Sequence, residues 1–177
     1  LTVDATVDDS TLTLFDYDLN NDGPVRLHVE KGAMSIGALT LKGHDTNLTL
    51  KGGANTIDRT LDLSASGDAS LSILQLFPGF KNLTTSGATK VNATLTGSFD
   101  APRLAGEAQI ADGRLRPFGS PHSLESINGR LIISPKDIRL SGVTGRIGSG
   151  SVEFGGSIAL DGYAPSEFNM TARGRSM

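Results

Sequence analysis

Along almost the whole chain, apolar residues recur at every second position, with Thr, Ser, Asn, Asp and Lys between them. A period of two puts the apolar side chains on one face of an extended strand, and the 3.6-residue spacing of a helix is nearly absent. In the first half the clearest runs are Leu1, Val3, Ala5, Val7; Val25, Leu27, Val29; Leu48, Leu50; and Leu61, Leu63, Ala65. The second half continues with Val91, Ala93, Leu95; Leu104, Ala108, Ile110; Ile127, Leu131, Ile133; and Ile138, Leu140. It closes with Val152, Phe154, Ile158, Leu160 and with Phe168, Met170, Ala172. Turn-forming clusters separate the runs, among them Asn20-Asn21-Asp22-Gly23, Asp112-Gly113, Ser134-Pro135-Lys136 and Gly148-Ser149-Gly150. The pattern predicts an all-β chain of about a dozen short antiparallel strands. One stretch breaks it: Leu71, Leu74 and Phe77 fall at helical spacing before Pro78-Gly79, so a single short helix is expected over Ala69 to Phe77, closing an open end of the sheet.

A length of 177 residues suits one domain with a sizeable core. The chain is expected to be one β-rich segment, 1–177, with a soft division near 67–86. Gly is frequent, 22 of 177 against a usual ~7%, while the aromatics are seven Phe, two Tyr and no Trp, which points to many turns and an aliphatic interior. Sixteen basic and nineteen acidic residues are scattered in sign along the chain and leave no patch for a phosphate backbone, which argues against nucleic acid. The absence of Cys excludes disulfides, thiolate metal sites and cysteine nucleophiles. No apolar run reaches the length of a membrane span, and the start has no signal-like segment; the missing initiator Met and abrupt end are read as a piece cut from a longer protein.

The second half carries a weak repeat. Gly97-Ser98-Phe99, Gly113-Arg114-Leu115, Gly129-Arg130-Leu131 and Gly145-Arg146-Ile147 each begin sixteen residues after the one before. Sixteen residues accommodate two short strands with their turns, so every second strand is expected to enter a growing meander with the same step.

Local motifs for chemistry are poor. Asp18-Leu19-Asn20-Asn21-Asp22-Gly23 matches the first half of a calcium loop, but position twelve is Val29 where a bidentate Glu is required, and the flanks read as strands, so a polar hairpin turn is expected. His28, His44 and His122 lie far apart with no partner at a ligand spacing, and no strand-turn-helix elbow presents a nucleophilic Ser. Gly148-Ser149-Gly150 is followed by a strand, which removes the helix N-terminus a phosphate loop needs. Asn-x-Thr sequons begin at Asn47, Asn82, Asn92 and Asn169, three of them inside strands. No catalytic residue, metal site or cofactor is expected, and the chain is read as non-enzymatic.

The order of the motifs carries a resemblance. Gly97-Ser98-Phe99-Asp100-Ala101-Pro102-Arg103-Leu104-Ala105-Gly106, then Ile110-Ala111-Asp112-Gly113-Arg114-Leu115, resembles the "G-T-x-x-x-P-x-L-x-G, strand, D-G-x-L" pattern of TamB-type proteins of the AsmA-like superfamily. Leu124 to Leu131 and Gly148 to Ile158 look like its next two steps, and the expected helix and the strand start at Ser86-Gly87 fit upstream, covering residues 23–174. The resemblance implies a periplasmic protein of a diderm bacterium, anchored to the inner membrane. Its long sheet would curl into a trough, a β-taco, and it would move phospholipid towards the outer membrane or help assemble outer-membrane proteins with an outer-membrane barrel partner. This segment lacks the anchor, and contact with the barrel partner is not implied for it.

Two readings of the apolar face follow. A sandwich would bury two aliphatic faces against each other. An open, curled sheet would leave a groove for phospholipid acyl chains, which the scarcity of aromatics and the glycines at inward positions Gly106, Gly129 and Gly156 favour. Its lining would be Val91, Leu95, Leu104, Ile110, Ile127, Leu131, Ile133, Ile138, Leu140, Val152, Phe154, Ile158, Leu160, Phe168 and Met170. The alternative is a chaperone-like module that augments nascent outer-membrane strands along a sheet edge.

Overall fold

The computed structural model describes residues 2–14, 17–43, 45–72, 82–161 and 164–175. Alternating apolar and polar residues give strands throughout: β1 (Thr2–Val7), β2 (Thr11–Leu14), β3 (Tyr17–Asn21), β4 (Val25–Glu30), β5 (Ala33–Gly43), β6 (Thr46–Asn55) and β7 (Thr60–Ser70). They continue with β8 (Leu83–Ser98), β9 (Ala101–Pro117), β10 (Leu124–Ile133), β11 (Asp137–Ile147), β12 (Gly150–Asp161) and β13 (Ala164–Arg175). All belong to a single antiparallel sheet ordered β1-β4-β5-β6 and then consecutively to β13. The β2–β3 hairpin leaves this path, and β3 pairs with the end of β5 through Asn20 and Asn21 opposite Lys42 and Leu41. The sheet is open: among the described residues β1 and β13 are its outermost strands.

Several details depart from the sequence expectations. Asp112-Gly113 is not a turn. The β9 strand runs through it as a bulge, with Asp112 at φ 49°, because a residue of left-handed backbone serves a bulge as well as a turn. Strands β8 and β9 are therefore long, 16 and 17 residues. The four repeat glycines consequently fall one per strand, on β8, β9, β10 and β11, rather than on every second strand. Asp18 to Asn21 belong to β3, and the turn itself is confined to Asp22-Gly23-Pro24. The helix expected over Ala69 to Phe77 opens differently: Ala69 and Ser70 end β7, paired with Thr89 and Ala88, and Leu71-Ser72 make a 3₁₀ turn. Residues 73–77 lie outside those described.

The sandwich reading is not the structure, since all the strands among the described residues belong to one open sheet. A compact monomer of 18.4 kDa exposes about 8,200 Å². This chain exposes 10,833 Å², and among the described residues no large side chain is fully buried. Among the same residues no helix is long and apolar enough to cross a membrane.

Candidate functional site

Antiparallel register lines up the apolar side chains of successive strands into rows. One row runs Leu39, Leu50, Ala65, Ala93, Gly106, Ile133, Ile138, Ile158 and Phe168, each directly opposite the next from β5 to β13. The adjacent row runs Leu41, Leu48, Gly67, Val91, Ala108, Leu131, Leu140, Gly156 and Met170 across the same strands. Neither contains a polar side chain. At about 4.8 Å per strand the two rows extend roughly 38 Å across the sheet. Shorter rows flank them, such as Leu63, Leu95, Leu104 on one side and Val143, Phe154, Ala172 on the other.

The face differs along its length. Where β7 ends, Leu71 folds over it and packs with Ile110, Ile127 and Val143, with Leu131, Leu140 and Phe154 against them. Buried hydroxyls at this end are satisfied: Thr85 donates to the Leu71 carbonyl at 3.2 Å and the Ser72 hydroxyl donates to the Thr85 carbonyl at 3.1 Å. Leu41 and Leu48, at the β5–β6 end of the second row, are buried as well, and most of the remaining face is half-buried. A recess of about 300 Å³ is lined there chiefly by Ile36, Leu50, Leu63, Ala93, Leu95 and Leu104.

Of the lining residues expected from sequence, Ile110, Ile127 and Val152 are buried. Val91, Leu95, Leu104, Leu131, Ile133, Ile138, Leu140, Phe154, Ile158 and Leu160 are half-buried. Phe168 and Met170, on the outermost strand, are 60% and 40% exposed. Ile127 with Ile110 thus belongs to the capped core, while Leu95 and Leu104 face the open recess. The sequence reading placed the lining in the second half only. Ile36, Leu50 and Leu63 complete the recess from the first half, and the alternation at Leu48, Leu50 and Leu61, Leu63 was the available signal.

Glycine sets the approach of neighbouring strands along these rows. Gly106 and Gly156, at φ 150° and 110°, sit inward with a cross-strand backbone where a side chain would be: a β-carbon on Gly106 would lie 2.6 Å from Ala93 Cα, and one on Gly156 2.9 Å from Met170 Cα.

Apart from the buried hydroxyls at the capped end and Thr89, which donates to the Gln109 carbonyl, the polar chemistry described lies on the opposite face and in the turns. Thr13 donates to Asp18 Oδ1 at 2.7 Å, Thr11 donates to Asn20 Oδ1 at 2.8 Å, and Lys42 pairs with Asp22 at 2.8 Å, so the oxygens of the calcium-like motif serve strand pairing. Among the described residues no group of three or more His, Asp or Glu converges to hold a metal ion. His28 lies 2.6 Å from Asp4 across the β1–β4 pair, and that hydrogen bond raises its pKa, with the charges of Asp4 and Glu30 adding to the effect. Asp137 accepts hydrogen bonds from the Ser134 hydroxyl and from Arg139, which hold its carboxyl below the usual range. His122 is exposed in a turn, and His44 lies outside the described residues. Comparison with protein-family models, with curated proteins and with solved structures finds no match to this chain.

Proposed function

We propose that the apolar face is a trough that holds phospholipid acyl chains. The observation that carries this reading is the pair of unbroken apolar rows, most of whose side chains stay half-buried or exposed among the described residues. Such a surface in water favours a partner that is itself a long apolar chain. Burying one methylene contributes about 0.8 kcal/mol, and about half that when one side stays wet. Ten methylenes lying along the rows would thus gain roughly 4 kcal/mol, enough to hold a chain and weak enough to let it move. Because each strand presents the same aliphatic contact, no polar step stops a chain that slides from strand to strand, while the headgroup stays in water at the open side. Nothing in this mechanism requires a reacting group, and the role is non-enzymatic.

The setting that suits such a face is the aqueous space between two membranes, the periplasm of a diderm bacterium, with lipid passing between inner and outer membranes. Strand augmentation of outer-membrane proteins would use an edge of the sheet and leave the rows empty. Binding of a dansyl-labelled fatty acid to the 177-residue chain separates the two. The trough predicts saturable fluorescence enhancement that phospholipid competes away and that Leu63→Glu with Leu95→Glu abolishes while the far-ultraviolet spectrum stays β. A folded wild type that gives no enhancement contradicts it.

A further inference from the structure

The turns β9–β10 and β11–β12 close the same end of the sheet and carry apolar side chains into water. Phe118, the first residue of the β9–β10 turn, is 73% exposed, the highest value among the large hydrophobic residues described. Ile147, the last residue of β11, is exposed as well. The Glu125–Arg146 register sets Ile147 beside Leu124, which pairs with Leu115, so Ile147 prolongs a row whose other members pack on the capped core. Phe118 sits on a well-bonded turn. Its N–H donates to the Asn82 carbonyl at 2.9 Å, the Ser120 N–H to the Pro117 carbonyl at 3.1 Å and the His122 N–H to the Ser120 hydroxyl at 3.2 Å. With these donors satisfied, the turn can enter a less polar medium at little cost.

Arginines stand behind this apolar lip. Arg114 and Arg116 on β9 and Arg146 on β11 are exposed, and alternation puts them on the face opposite Leu115 and Ile147. Arg114 pairs with Glu125 at 3.3 Å, and Glu125 stands directly opposite Arg146. Among the described residues no ion pair engages Arg116 or Arg146. Three arginines thus meet one carboxylate, while Asp112 and Glu153 lie further in along their strands. Ile57, the other strongly exposed apolar turn residue, has the opposite setting: Asp58 follows it, and the next residue, Arg59, is paired with Asp100 at 2.7 Å. We propose that the β9–β10 and β11–β12 end of the sheet docks on an anionic phospholipid bilayer, with Phe118 and Ile147 entering the interface and Arg114, Arg116 and Arg146 among the headgroup phosphates. The charge and the apolar side chains fit the depth at which hydrocarbon gives way to phosphate. Three charges interrupted by Glu125 are too few for the phosphate run of a nucleic acid. One Phe and one Ile are too small a patch for a stable protein interface, which buries about 1,200 Å² or more. Shallow insertion combined with charge attraction is what a bilayer surface requires.

This docking does not depend on what the apolar face holds. The test is sedimentation of the 177-residue chain with vesicles of phosphatidylcholine, with and without phosphatidylglycerol. The chain should bind the anionic vesicles, and raised salt should weaken the binding. Arg116→Glu with Arg146→Glu should weaken it at least about tenfold, since each charge near an anionic surface is worth about fivefold. Phe118→Ser should also weaken it about tenfold, through loss of the buried ring. Both variants should keep a β far-ultraviolet spectrum and bind dansyl-labelled fatty acid as the wild type does, whereas Leu63→Glu with Leu95→Glu should still dock. The chain has no Trp, so Phe118→Trp supplies the only indole. Its emission should shift to the blue on anionic vesicles and be quenched by brominated acyl chains, and Ile57→Trp should show neither effect. The inference is overturned by a folded wild type that ignores anionic vesicles, by equal binding to neutral ones, or by binding indifferent to Phe118 and the arginines. Docking lost in the folded Leu63 and Leu95 double variant overturns it too, and a lip that meets a protein in place of a bilayer would give the first of these results.

Discussion

Gly106 is where the geometry of the sheet can be tested with a single methyl group. It faces inward on β9, between Ala93 of β8 and Ile133 of β10, at φ 150°. In Gly106→Ala the new β-carbon would lie 2.6 Å from Ala93 Cα and 3.0 Å from Ala93 Cβ, with the Asn92 carbonyl closer still. The obstacle is backbone, so no side-chain rotation relieves it. Holding a non-glycine residue in this region costs of order 1–3 kcal/mol, and pushing β8 from β9 costs roughly 1–3 more. Stiffening the unfolded chain returns about 0.4–1 kcal/mol. The net loss is about 3 kcal/mol, which at an m-value of about 2 kcal/mol per molar urea lowers the midpoint by roughly 1.5 M. Gly37 is the control, since its φ is not positive and nothing lies within 4 Å of a β-carbon placed there. Gly37→Ala should leave the midpoint unchanged or raise it slightly. Equal midpoints for Gly106→Ala and wild type, or equal losses for both variants, would refute the argument that Gly106 sets the approach of β8 to β9.

The capped end of the face should behave as core: Leu71→Ala is expected to cost about 3 kcal/mol and Ile127→Asp to prevent folding, both measured by urea unfolding. His28, whose pKa is raised by Asp4, contributes stability that is fully present below its unfolded value near 6.5 and is lost as pH rises through the higher folded value. Hydrogen exchange in β1, corrected for intrinsic rate, should therefore show less protection at pH 8 than at pH 6, a difference that His28→Gln removes. Asp137 acts in the opposite sense, stabilising above pH 3.8 and losing that contribution as pH falls through its lowered folded pKa, so Asp137→Asn should reduce the difference in melting temperature between pH 5 and pH 3. Calorimetric titration with calcium should give no heat at Asp18, Asn20 and Asp22, because their oxygens are engaged in strand pairing and the position-twelve carboxylate is missing.

Alternation alone made most of the sheet legible. Val25, Leu27, Val29 and Leu61, Leu63, Ala65 each name a strand and the face it presents, since a side-chain period of two admits no other arrangement. Strand ends were harder to read, because a left-handed residue such as Asp112 serves a bulge inside β9 as readily as a turn between strands. Register was not legible either. Whether Ile133 faces Gly106 or slips by two residues depends on hairpin lengths and bulges spread across the chain, and only register shows that Leu50 and Ile158 belong to one row. The division of the lining into a capped core and a recess follows from Leu71 packing against Ile110, Ile127 and Val143, a contact between residues distant in sequence that leaves no local pattern.

Site-specific photo-cross-linking tests the account most directly. A photoreactive residue is placed in turn at Leu63, Leu95 and Leu104 on the apolar face and at Ser64, Thr96 and Arg103 on the opposite face, one residue away in each case. The chain is then illuminated with phospholipid vesicles and the adducts are read by mass spectrometry. The account predicts phospholipid adducts at the three apolar positions and none at their neighbours. Equal labelling of both faces, or no lipid adduct at any apolar position of a folded chain, would contradict it.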